Sequence, residues 1–141
     1  MDQLDHEILQ ILKKNSRFTN KEIGEQVHLT GQAVGLRISK LQEQGILKSF
    51  TIEIAHPDQQ FIRLFMKSTD FAAAEAAVNQ FAAVDKFYKV SGQACYIVVA
   101  HFSKEQLNLF IETISKWARY SVETVLVDKK RVNESAITDS I

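Results

Sequence analysis

The hydrophobic pattern of the first 45 residues predicts three short helices. In each of them apolar side chains recur every three or four positions, which gives one apolar face and one polar face. Asp2, Thr19 and Thr30 stand where these helices need an N-cap, and Glu22 completes a capping box with Thr19. Gly45 predicts the end of the third helix. The inward positions are Leu4, Ile8, Ile11 and Leu12 in the first helix, Ile23 and Val27 in the second, and Val34, Ile38 and Leu41 in the third.

The second and third predicted helices are separated by about three residues, as in a helix-turn-helix. The second helix of that motif can enter the major groove of DNA. The segment at 46–54, "ILKSFTIEI", alternates well enough to predict a strand that would serve as a wing. We therefore assign residues 1–55 to a winged helix-turn-helix domain. Residues 56–60 contain the only proline of the sequence and predict a linker.

The second half of the chain predicts strands and helices in the order β-α-β-β-α-β, which is the ferredoxin-like arrangement. The fold class is therefore α+β, with a ferredoxin-like domain at 61–130 and a polar tail at 131–141. Ser103 and Gln106 form a capping box at the start of the last helix. The predicted segments are strands at 61–68, 86–92, 94–102 and 122–127 and helices at 70–84 and 103–118.

One predicted strand is apolar on both faces of the sheet. Tyr96 and Val98 point to one side, and Ile97 and Val99 point to the other. The two helices of a ferredoxin-like domain cover only one face of its sheet, so that the other face would be bare. We therefore expect a second copy of the chain to cover the open face.

The composition limits the classes of function. The 141 residues include 17 basic and 17 acidic side chains, yet seven basic and only three acidic residues lie between Lys13 and Lys48. This local basic surplus surrounds the helix-turn-helix. The sequence has no run of eighteen apolar residues, so we expect no membrane span, and the single cysteine, Cys95, indicates a reducing cytoplasm.

The sequence lacks the usual spacing of catalytic and metal-binding motifs. Gly31 and Gly35 are not followed by the lysine that would complete a phosphate-binding loop. The four histidines are scattered, without ligand spacing to one another or to Cys95, at His6, His28, His56 and His101. We therefore expect no enzymatic activity, no metal and no cofactor.

The third predicted helix carries the side chains that point to a function. When its apolar stripe faces inward, a polar-rich face is turned outward, and the helix N-terminus favours an anion. Glutamine can pair with adenine, leucine can contact a thymine methyl group, and serine and lysine can reach phosphates or base edges. The candidate DNA-contacting residues are Lys21, Thr30, Gly31, Gln32, Gly35, Leu36, Arg37, Ser39 and Lys40.

Some of these residues have a second interpretation. Gly35 either allows close approach to DNA or fits against the preceding helix. Arg37 either reaches a phosphate or forms an ion pair with Glu22 or Glu25. The alternative for the whole protein is a ligand-sensing module whose helix-turn-helix contacts protein and not DNA.

The segment 4–54 resembles the N-terminal domain of the Lrp/AsnC (feast/famine) transcription regulators of bacteria and archaea. The second half, through its order of elements and its turn "VSGQACYIVV", resembles the effector-binding and oligomerisation domain of that family. The resemblance implies a sequence-specific regulator of double-stranded DNA that assembles from homodimers, often into octamers, with the helix-turn-helix at residues 20–39. The matching features are Leu4-Asp5, Ile8-Leu9, Asn15, Arg17, Glu22-Ile23, Leu29-Thr30, Val34, Arg37-Ile38, Leu41 and Gly45-Ile46.

The resemblance also implies an amino-acid effector site at the turn formed by Gly92, Gln93, Ala94, Cys95 and Tyr96. Many relatives carry an aspartate three positions after the glycine, and Cys95 stands there in this chain. A carboxylate can pair with the ammonium group of an amino acid, whereas a thiol cannot. We therefore expect a weak or absent response to amino acids. The apolar neighbours of Cys95 predict a buried structural thiol and not a redox sensor.

Overall fold

A computed structural model describes residues 1–130, within which Met1–Glu53 and Ile54–Lys129 belong to two compact units. The division lies just before the linker predicted at 56–60, and Gln60 already belongs to the first strand. The polar tail predicted at 131–141 lies outside the described residues. Within the described part of the chain, no helix is long and apolar enough to cross a membrane.

The first unit contains the three predicted helices: α1 at Gln3–Lys14, α2 at Asn20–Val27 and α3 at Gly31–Glu43. The three predicted caps are confirmed, because Asp2, Thr19 and Thr30 each accept a hydrogen bond from a first-turn amide. The apolar faces of the helices meet in a common core. Its buried residues are Ile8, Leu12, Ile23, Val27, Val34, Ile38, Leu41 and Leu47.

The prediction of a strand at 46–54, which would have formed the wing, is wrong for the described residues. Residues 48–56 form neither a helix nor a strand, and none of the described strands pairs with them. An alternating pattern becomes a strand only when a neighbouring strand satisfies its backbone groups. Phe50, Ile52 and Ile54 therefore remain exposed.

The second unit has the predicted ferredoxin-like order of elements. Its four strands form one antiparallel sheet in the order β2-β3-β1-β4, with β1 in contact with both β3 and β4. The elements are β1 at Gln60–Met66, α4 at Phe71–Asn79, β2 at Val84–Lys89, β3 at Tyr96–Ala100, α5 at Lys104–Ile114 and β4 at Ala118–Thr124.

Three predicted boundaries are wrong by four or five residues, and each error has a local cause. Helix α4 ends at Asn79 and not at Val84, because the ring of Phe81 packs edge-on against two aromatic rings of the core. The last strand begins at Ala118 and not at residue 122. The Trp117 amide donates to the Ile114 carbonyl at 3.0 Å and closes a tight turn, so that α5 ends early and the next residues join the sheet.

The two faces of the sheet have different surroundings. Ile62 pairs with Val98 on the face that packs against α4 and α5. Phe61 pairs with Val99 on the opposite face, where Phe61 is 42% exposed. The predicted alternation along β3 is therefore confirmed, and on the open face of this single chain Phe61 is exposed to solvent, whereas Val99 is only 9% exposed.

Candidate nucleic-acid interface and effector turn

Helix α3 is oriented as its apolar stripe predicts. Val34, Ile38 and Leu41 are at most 8% exposed, whereas Leu36 on the opposite face is 63% exposed. An exposed leucine on an otherwise polar helix face is available for an apolar contact with a ligand. The exposed members of the candidate set are Lys21, Thr30, Gln32, Leu36, Ser39 and Lys40.

The N-terminus of α3 has the electrostatic character that an anion requires. The hydroxyl oxygen of Thr30 accepts a hydrogen bond from the Ala33 amide at 3.1 Å, which fixes where the helix begins. Amides in the first turn of a helix lack intrahelical partners, and the helix dipole places partial positive charge at this end. A phosphate group of DNA is therefore a favourable partner for the start of α3.

The two glycines of α3 face α2. A Cβ atom on Gly31 would lie 3.2 Å from the Lys21 amide nitrogen, and one on Gly35 would lie 3.1 Å from the Asn20 side-chain nitrogen. Both glycines are also only half-exposed. Of the two interpretations of Gly35, the structure supports the fit against the preceding helix. The same orientation gives Gly31 a packing role, although the sequence placed both glycines in the DNA-contacting set.

The helix-turn-helix glycine with the least room for a side chain is Gly24, which the sequence pattern does not single out. A Cβ atom on Gly24 would overlap the carbonyl oxygen of Leu29. The Leu29 amide in turn donates a hydrogen bond to the Gly24 carbonyl at 2.9 Å, and His28 between them has a positive φ of 61°. The turn can be this short because the backbone at Gly24 and the backbone at Leu29 approach each other closely. In the sequence, the shortness of the turn is the only sign of this close approach.

Arg37 forms an ion pair within its own unit. Its Nη1 atom lies 2.7 Å from an Asp2 carboxylate oxygen and 3.2 Å from an Asp5 carboxylate oxygen. The predicted partners Glu22 and Glu25 are therefore wrong, because the start of α1 lies closer to Arg37. The hydrogen bond from Arg37, followed by the one from the Asp5 amide, lowers the pKa of Asp2 to about 2. Contact of Arg37 with phosphate stays a prediction.

The candidate effector turn follows β2. Gly92 has a positive φ of 138°, and Gly92 and Gln93 are exposed. Cys95 is a free, half-buried thiol that packs against the core, and its amide donates to the Leu64 carbonyl at 2.8 Å. The sequence predicts a buried thiol, and the structure leaves Cys95 partly accessible.

Tyr96 belongs to the core, although the sequence placed it in the effector set. Its side chain is 2% exposed, and its hydroxyl donates a hydrogen bond of 2.5 Å to the Glu75 carboxylate on α4. Burial, and then this carboxylate, raise the pKa of Tyr96 to about 12. The hydroxyl of Tyr96 is therefore protonated at neutral pH and committed to Glu75.

Two histidines that the sequence separates widely come into contact in the second unit. The rings of His56 and His101 stack with their centroids 3.8 Å apart, and Asp85 lies beside His101. The interpretation of the histidines as scattered therefore does not hold for this pair. No local spacing could have revealed it, because the two residues are 45 positions apart and meet only in the folded second unit.

Comparison with known proteins matches both halves of this architecture. A family model of the AsnC-type helix-turn-helix domain matches residues 1–42. The HTH-type transcriptional regulator LrpB of Bacillus subtilis (strain 168) is 35% identical over 99% of this chain and 98% of its own length.

Solved structures show the same fold over nearly the whole chain. The structure of B. subtilis LrpC superposes with a TM-score of 0.82 at 26% identity, covering 92% of this chain and 99% of LrpC. The regulator NMB0573 from Neisseria meningitidis, solved as a complex with L-Met, superposes with a TM-score of 0.80 over 93% of each chain. Its identity of 24% means that this second likeness concerns the fold alone.

Proposed function

The chain belongs to the Lrp/AsnC family of HTH-type transcription regulators, and on that premise we propose that it reads DNA sequence through the outer face of α3. Membership of the family makes the chain a DNA-binding, oligomeric regulator and not an enzyme. The observation that carries the proposal is the exposure of Leu36, opposite a stripe whose members are buried. A helix that used this face for a permanent contact within its own unit would have it covered.

The proposed contacts divide into two kinds. Gln32 and Leu36 lie near the N-terminal end of α3, where a recognition helix reaches base edges, and they would carry sequence preference. Lys21, Ser39 and Lys40 would reach phosphates, which position the protein without reading sequence. Arg37 would contribute less to DNA binding, because its guanidinium already pairs with the carboxylates of Asp2 and Asp5.

Two substitutions separate these roles. A DNA fragment selected from a random pool with the wild-type protein serves as the specific ligand, and an unselected fragment of equal length serves as the reference. Gln32→Ala should lower affinity for the selected fragment by roughly 1–3 kcal/mol and leave affinity for the reference nearly unchanged. Lys40→Ala should weaken binding to both fragments by the same factor. It should also lower the slope of log affinity against log salt concentration by about 1.

Salt also distinguishes DNA binding from the rival function. Phosphate contacts weaken steeply as salt rises, whereas a helix-turn-helix that contacts only protein gives no salt-dependent retardation of DNA. Equal losses on both fragments for both substitutions would contradict the assignment of the two kinds of contact.

We further propose that the chain acts as homodimers that assemble into octamers in the cytoplasm. The open face of the sheet carries Phe61, which is 42% exposed, and burial of this ring against a second copy supports the proposal. Several modest DNA contacts joined in one particle gain effective concentration, which suits a chain with a formal charge of zero. Light scattering at micromolar concentration should report a mass of at least two chains, and a monomer would contradict the proposal.

We also propose that the chain responds weakly or not at all to free amino acids. This proposal is supported by Cys95, which stands where the family resemblance implies an aspartate, and by the hydrogen bond that the Tyr96 hydroxyl donates to Glu75. Calorimetric titration with the common amino acids should give no saturable heat at millimolar concentration. Tight binding of any one of them would overturn this part of the proposal.

A further inference from the structure

His56, Asp85 and His101 form a cluster at one end of the β2–β3 hairpin. The Nδ1 atom of His101 lies 2.8 Å from an Asp85 carboxylate oxygen, and the rings of His56 and His101 are parallel to within 5°. One nitrogen or oxygen atom from each of the three side chains lies within 4.8 Å of the other two. Three potential metal ligands therefore meet here, all within the second unit.

The sheet holds two members of the cluster in place. The pairing of β2 with β3 shifts register between Val84 and Lys86, so that Asp85 occupies an irregularity of the kind that redirects a side chain. The amide of His101 donates to the Ala83 carbonyl at 2.9 Å. His101 is thus fixed by a backbone hydrogen bond, and Asp85 by the paired residues on either side of it in β2, and not by the cluster itself.

A buried glutamine fixes the chain next to His101. The Gln60 side chain donates to the Phe102 carbonyl and accepts from the Phe102 amide, each at 2.9 Å, and Gln60 is only 3% exposed. This pair of hydrogen bonds ties the residue after His101 to the start of β1. His56 precedes β1 by four residues, so the same anchor limits how far it can move from His101.

The chemistry of the three side chains selects a class of ion. Two imidazoles and one carboxylate suit Zn²⁺, Ni²⁺, Co²⁺ and Cu²⁺, whereas Mg²⁺ and Ca²⁺ prefer oxygen ligands throughout. The side chains of His101 and Asp85 are 28% and 35% exposed, so an ion can reach them and water can complete its coordination. We propose that His56, Asp85 and His101 bind one divalent transition-metal ion per chain.

Binding changes the cluster in a defined way. The lone pair of an imidazole nitrogen lies in the plane of its ring, so two rings stacked with their centroids 3.8 Å apart cannot both point at one ion. One of the two rings must therefore turn out of the stack when the ion binds. The ion then attaches His56, and the segment that precedes β1, to the β2–β3 hairpin. This inference does not depend on the DNA contacts or on the effector proposal.

Calorimetric titration of the full chain with Zn²⁺ tests the site. Wild-type protein should bind one ion per chain. His56→Ala, His101→Ala and Asp85→Asn should each lower the affinity at least about tenfold, because loss of an outer-shell partner alone costs that much and each of these changes removes a ligand. His6→Ala, which removes an exposed histidine of α1, is the matched control and should bind as wild type. Circular dichroism verifies that each variant is folded.

Two further measurements make the outcome decisive. Amide hydrogen exchange around His56 should slow when Zn²⁺ is added to the wild type and not when it is added to His101→Ala. Electron paramagnetic resonance of the Cu²⁺ form should show coupling to two nitrogen ligands. The proposal would be overturned if Zn²⁺ binding were not saturable, or if the wild type and His101→Ala bound Zn²⁺ with equal affinity. The cluster would then be only a hydrogen bond between His101 and Asp85 with the ring of His56 stacked on His101.

Discussion

The carboxylate of Asp2 serves both the start of α1 and the contact between α1 and α3. It caps the helix by accepting from the Asp5 amide at 2.9 Å, and it pairs with Arg37 at 2.7 Å. The capping role can be read from the sequence, because a cap lies next to the helix that it starts. The pairing cannot, because Asp2 and Arg37 are 35 positions apart and only tertiary packing brings them together.

The pairing makes a prediction about acid stability. Because the folded-state pKa of Asp2 is about 2, below the ordinary 3.8, its stabilising effect is complete above pH 4 and is lost as the pH falls toward 2. Asp2→Asn keeps a good cap and removes the charge. Its melting temperature should lie below that of the wild type above pH 4, and the difference should narrow as the pH falls from 4 through about 2. A difference that stays constant from pH 5 to pH 2 would contradict the ion pair.

At the scale of the elements, the helix-turn-helix depends on how closely α2 and its turn approach α3. Local signals predict the helices well, because a cap and an apolar stripe lie within the element that they define. They fail where an element ends for a tertiary reason. Phe81 leaves the α4 helix to pack among core rings, and the strand pattern at 46–54 has no partner in the described chain.

Two glycine substitutions test the packing between these elements. Gly24→Ala forces a Cβ against the Leu29 carbonyl, which is backbone and cannot move away, so the free energy of unfolding should fall by about 1–3 kcal/mol. Gly35→Ala meets only the mobile Asn20 side chain and gains helix propensity, so it should be neutral or stabilising by up to about 1 kcal/mol. Urea denaturation followed by circular dichroism compares the two. Equal destabilisation by both would show that the turn does not depend on Gly24.

At the scale of the whole molecule, the order of elements was sufficient to predict the ferredoxin-like sheet, because few folds accommodate β-α-β-β-α-β in so short a segment. The cluster of His56, Asp85 and His101 was not predictable in the same way. It requires the register of β2 against β3 and the position of the chain before β1, and neither leaves a local trace in the sequence.

The orientation of α3 could be predicted because it follows from periodicity alone. The same orientation determines which surface of the molecule is free to meet a duplex. Leu36 on that surface and Leu109 on α5 are both exposed leucines of helices, at 63% and 56%. They therefore form a matched pair for introducing a negative charge at two places on the molecule.

The most direct measurement compares the DNA affinity of Leu36→Glu and Leu109→Glu by fluorescence anisotropy on the selected fragment. A glutamate at residue 36 would bring a negative charge into the groove of the negatively charged duplex, so affinity should fall at least about tenfold, while Leu109→Glu should bind within about twofold of the wild type. Both variants should keep the helical content of the wild type. Wild-type affinity in a folded Leu36→Glu protein would contradict the claim that this face of α3 binds DNA.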